Sequence, residues 1–138
     1  MKTFQSVSKS AVSDNLVMSI TNSNKSINTS LMLSKTDILF MIKHGHDLDF
    51  IVNHFIYTVT RSFIGTIAQN IANVLTCVDD NDLYNAITDY SKMMNNDQIN
   101  IMTEDEHDLL VTNIKSIIGE FLTEKEIKLA KDGTTKQD

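Results

Sequence analysis

The sequence predicts a mainly α domain of the α+β class: an N-terminal β-hairpin packed on a bundle of about four helices, one of them long and central. Three observations lead there. Of the first 36 residues, 17 are Ser, Thr or Asn, and two alternating apolar runs are set into that polar background. From residue 37 onward apolar residues recur at intervals of three and four, the period of a helix with one buried face. A chain of 138 residues, 41% hydrophobic and 22% charged, is also long and apolar enough to bury a core without disulfide or metal staples.

Residues 1–36 read as a polar hairpin or, failing a surface to pack on, an arm. "LVMSI" (16–20) places Leu16, Met18 and Ile20 on one face, and "INTSLML" (27–33) does the same for Ile27, Leu31 and Leu33. The intervening "TNSNKS" consists of turn formers. Phe4 to Val7 is a further strand candidate.

Residues 37–132 read as the helical domain. Ser34, Thr36 or Asp37 can cap a short helix through Ile38, Leu39, Met41 and Ile42 that ends near Lys43. A long helix is predicted from Asp47 to about Val78, with Leu48, Val52, Phe55, Val59, Phe63, Ile67, Ile71, Leu75 and Val78 in one stripe. Its β-branched residues leave a strand over 50–60 as the competing assignment, and Gly65 marks a kink or break. "VDDND" (78–82) supplies a turn before a helix with Leu83, Ile87, Tyr90 and Met94 on one face, and "NNDQINIM" is a loop or short strand. Thr103 with Glu106 and Thr123 with Glu126 are two capping boxes. The first opens a helix with Leu110, Ile114, Ile117, Ile118 and Phe121 inward, the second a short last helix, and residues 133–138 form a flexible tail.

Charge and composition exclude several functions. The net charge of −6 divides into +3 over residues 1–36 and −9 over the remainder, and Arg61 is the sole arginine, so a phosphate-binding surface for nucleic acid is not expected. The most apolar stretch, 50–78, is interrupted by Asn53, His54, Arg61, Gln69, Asn70 and Asn73, too polar to span a bilayer. With no signal-like N-terminus and a single cysteine, Cys77, the expectation is a cytoplasmic protein. Abundant Ile, Asn and Lys, one Arg and no Pro are the usage of a low-GC genome, such as a phage, virus or bacterium.

"KHGHDLDFIVNH" (43–54) looks most like chemistry. A metal-dependent hydrolase would use His44, His46, Asp47 and His54. The stretch resembles the His-x-His-x-Asp motif of metallo-β-lactamase folds, yet Asp47 and Asp49 flank the position where that aspartate belongs. His46 with Asp47 resembles the dyad of HD-domain phosphohydrolases, without the upstream histidine. On a helix starting at Asp47, His54 lies about 10 Å along the axis from Asp47, too far to share an ion. A structural reading uses every residue: Lys43 and His44 end one helix, Gly45 takes the left-handed position, and Asp47 and Asp49 begin the next helix.

Other constellations are incomplete. Glu104 and His107 form one Glu-x-x-His where a di-iron bundle needs two. "DDND" resembles the start of a calcium loop but lacks the glycine and glutamate that complete it. Cys77 and His54 are about 34 Å apart along a continuous helix. Gly65, Ala68 and Ala72 form a small-residue stripe open to another helix, and Met93, Met94 and Met102 are adaptable apolar contacts. The resulting expectation is a non-enzymatic, cofactor-free protein that binds another protein, or itself as a homodimer, and acts as a regulator, inhibitor or assembly chaperone. The alternatives are the metal-dependent hydrolase and a structural component of a particle.

Overall fold

In a computed structural model of the chain, residues 3–22, 27–74, 87–88 and 101–132 are described, the side chains of 70–74 excepted. Three strands, β1 (Thr3–Lys9), β2 (Asn15–Asn22) and β3 (Asn28–Ser34), form an antiparallel sheet in the order β1-β2-β3. The hairpin expected from the sequence is therefore a three-stranded meander. The candidate strand at Phe4 to Val7 extends over the whole of β1, and Thr21 and Asn22, expected in the turn, close β2. Pairing is regular, with Val7 opposite Met18 and Met18 opposite Leu31. Alternation is complete in β2, where Leu16, Met18 and Ile20 are fully buried while Val17, Ser19 and Thr21 face outward.

Two helices cover the inner face of the sheet. After α1 (Lys35–Lys43), α2 (Leu48–Val74) packs over β2 and β3, and α3 (Glu104–Phe121) packs over β1 and β2. A last helix, α4 (Glu124–Asp132), lies against α1. The helix assignment for 50–60 prevails over its strand propensity because a continuous face can be buried. Ile51, Val52, Phe55, Ile56, Val59, Phe63, Ile64 and Ile67 all enter the core, a wider face than the predicted stripe. The helix also runs unbroken through Gly65, which corrects the expected kink or break: Gly65 is exposed and no neighbouring element acts on the backbone there. From α3, Leu110, Ile114, Ile118 and Phe121 complete the same core, with Ile117 half-buried beside them. The core thus draws on the strands of residues 1–36 and on the described helices of residues 37–132 together.

Polar groups inside this core are paired. The Thr3 hydroxyl donates to the Ile101 carbonyl at 2.6 Å, Thr60 donates to the Ile56 carbonyl at 2.7 Å, and the Thr29 and Thr66 hydroxyls meet at 3.1 Å. Asn22 accepts the Ile27 N–H on its side-chain oxygen at 3.0 Å. No buried side-chain polar atom lacks a partner among the described residues, as a stable interior requires.

The helix ends follow their sequence signals. Ser34 caps α1, accepting from the Asp37 N–H at 3.1 Å. Both capping boxes form: Thr103 and Glu106 exchange bonds at the start of α3, and Thr123 and Glu126 do so at α4. The turn at 78–82, the helix face of Leu83, Tyr90 and Met94, most of "NNDQINIM" and the tail at 133–138 lie outside the described residues.

Candidate functional site

The histidine-rich stretch is a helix junction. His44 caps the end of α1, and Gly45 has φ +95°, the left-handed conformation that lets the chain reverse without a Cβ penalty. Asp47 then accepts the Phe50 N–H on its carboxylate at 2.8 Å, capping α2. Asp49, in the first turn, forms an ion pair with Lys115 and so ties the start of α2 to α3. Each charge sits where a helix end or a neighbouring helix calls for it.

The imidazoles face phenyl rings instead of one another. His44 meets Phe40 with ring centroids 4.3 Å apart. His46 and His54 both stack on Phe50, at 4.5 and 5.7 Å and nearly parallel to it. Phe50 thus stands between the two rings, so that they cannot share an ion while the stack is in place. Among the described residues no three His, Cys, Asp or Glu side chains are grouped to hold a metal. His107 lies beside Asp108 at 3.8 Å, and Glu104 is exposed. Cys77 lies outside the described residues.

The expected contact residues are dispersed. Gly65 and Ala68 are exposed on α2, while the side chain of Ala72 and both Met93 and Met94 lie outside the described residues. Met102 is half-buried against the core and lines a cavity of about 170 Å³ with Ile56, Tyr57, Ile101 and His107.

A larger concavity lies between α1 and α4. It encloses about 480 Å³ and is lined by Leu39, Phe40, Leu129 and Ala130, with Thr36, Lys43 and Glu126 at its polar points. Its apolar side chains remain open to water: Phe40 is 62% exposed and Leu129 56%. Lys35 and Glu126 bridge the two helices at 2.5 Å. The Glu126 carboxyl is held below its ordinary value, first by the Lys35 ammonium and then by the Thr123 N–H.

Sequence reasoning missed this groove, although a signal was present. "ILFMI" (38–42) is five apolar residues in a row, and one helix can turn only part of such a run inward. Ile38 and Ile42 are buried, and Phe40 is the residue left outside. No helix among the described residues is long and apolar enough to cross a membrane. Comparison of the chain with protein-family models, with curated proteins and with solved structures gives no match.

Proposed function

We propose that this protein acts without catalysis, by binding another protein through the groove between α1 and α4, in a regulatory, inhibitory or assembly role in the cytoplasm. The observation that carries this reading is the exposure of Phe40 and Leu129 at a concave, mostly apolar site. Aromatic and aliphatic groups of that kind release the most free energy when a partner covers them. Lys43 and Glu126 at the rim supply charges of both signs to orient what binds.

The reading is tested by placing a photo-crosslinking residue at position 40 or 129 in the native host, with Val12, which is 93% exposed and far along the chain, as the control position. A discrete partner captured from 40 and 129 but not from 12 supports it. Phe40→Glu and Leu129→Glu should then abolish co-purification while leaving the circular dichroism spectrum intact. Capture that is equal at all three positions, or binding that survives both substitutions, removes the groove from consideration.

A further inference from the structure

We propose that the outer edge of β3 is a self-association surface, through which two copies of this chain pair their β3 strands antiparallel and form one six-stranded sheet. The inference is independent of the groove between α1 and α4. It begins with the alternation of the ladder. The Asn22 N–H donates to the Ile27 carbonyl at 3.2 Å and the Lys35 N–H to the Asp14 carbonyl at 2.9 Å. These two bonds set the phase of β3: Thr29, Leu31 and Leu33 bond to β2, while Asn28, Ser30 and Met32 turn their N–H and C=O groups outward. Among the described residues nothing accepts or donates to those outward groups.

Free edges are ordinarily blocked by lysine, proline, a bulge or a covering element. Among the described residues none of these devices occurs at β3, whose residues "NTSLMLS" carry no charge and whose seven-residue pairing with β2 has no bulge. The other edge differs at its two ends. There β1 ends in Lys9, and its first residue is tied to the chain at Ile101 by the Thr3 hydroxyl. Pairing of β3 with β3 about a two-fold axis is isologous and uses the one β3 edge of each chain, so it closes at two copies.

The occupant is a second copy because the strand is complementary to itself. With Ser30 facing Ser30 of the partner, Asn28 faces Met32 in both directions, outward donors meet outward acceptors, and no like charges are opposed. The same two-fold brings the α2 helices side by side, since α2 is the helix over β3 and Thr66 contacts Thr29 there. Among the described side chains the flank of α2 around Thr66 exposes Thr58, Ser62, Gly65 and Gln69, none of them charged. Met32, 64% exposed, would gain a neighbour across the new pair.

The test is sedimentation equilibrium of the full chain from 1 to 100 μM, a range of roughly this span being what a dimer of micromolar affinity requires. The wild type should reach a dimer mass and go no further. Ser30→Pro removes an outward N–H that serves no bond within the chain, and Ser30→Lys sets two cations opposite each other across the axis. Each should weaken dimerisation at least tenfold with an unchanged far-ultraviolet spectrum, whereas Phe40→Glu should leave the dimer intact. Should the proline variant fail to fold, the lysine variant alone decides. A wild type that stays monomeric, a mass that grows beyond two, or a dimer insensitive to Ser30→Lys overturns the proposal.

Discussion

The ammonium of Lys35 at the start of α1 lies 2.5 Å from one carboxylate oxygen of Glu126, while the other oxygen accepts the Thr123 N–H at 3.1 Å. One side chain therefore fastens α4 to α1 and caps α4. The two duties share a proton-dependent group whose charged form is favoured by both partners. A carboxyl depressed in the folded state adds stability above its unfolded value, and that stability is lost as pH falls through the folded value. Docking of α4 should accordingly loosen on acidification below the usual carboxylate range, and Glu126→Gln should flatten that dependence. Amide exchange in α4, measured against pH for both proteins, checks this.

Gly45 and Gly65 should respond to alanine with opposite signs. A Cβ meets no atom within 4 Å at either position, so the backbone alone decides. Gly45 has φ +95°, where an L side chain is strained, and Gly45→Ala should cost ~1–2 kcal/mol. Gly65 is an exposed helix-interior residue, and Gly65→Ala should add ~0.5–1 kcal/mol. Urea unfolding midpoints with an unchanged slope distinguish the two.

Phe63 is fully buried in α2, at the centre of the core shared by the sheet and α3. Phe63→Ala should lower stability by ~3–5 kcal/mol, the loss of a buried aromatic plus the cavity it leaves. Equilibrium unfolding measures it. A loss below ~1 kcal/mol would mean that α2 does not bury this face.

These contrasts also mark how far the sequence was informative. Leu16, Met18 and Ile20, and Val52, Phe55 and Phe63, declared their burial through period alone, because a strand has two sides and a helix must hide one. The junction at Gly45 was legible for a similar reason: end charges, a glycine and Asp47 leave few other roles. What stayed hidden depended on distant contacts. No local signal says that β1 pairs with β2 over seven residues, that Thr29 meets Thr66, or that α4, with no buried residue of its own, rests on α1. The groove at Phe40 belongs to this class, since it exists only where two helices remote in sequence fail to close.

The histidines give a fourth prediction. Since Phe50 separates His46 from His54, cobalt added to the protein should show no tetrahedral absorption bands at one equivalent, and His46→Ala should leave zinc-dependent stability unchanged. Stoichiometric bands lost in His46→Ala would instead show that the stack opens to bind metal.

The two capping boxes offer the sharpest separation of local from global stability. Thr103 and Thr123 each accept the backbone N–H of their glutamate, so removing either hydroxyl deletes the same cap bond, worth ~1 kcal/mol, and at Thr123 also a bond donated to the Glu126 carboxylate at 3.1 Å. The helices they start differ in what they bury. From α3, Leu110, Ile114, Ile118 and Phe121 enter the core, so fraying its first turn is coupled to the whole domain. No residue of α4 is buried, so its fraying can proceed while the core stays folded. Thr103→Ala should therefore lower the global unfolding midpoint, while Thr123→Ala should leave it nearly unchanged and raise amide exchange selectively in α4. Equal effects of the two substitutions on the midpoint would show that α4 unfolds only with the domain, and that its contact with α1 is stronger than its exposed face implies.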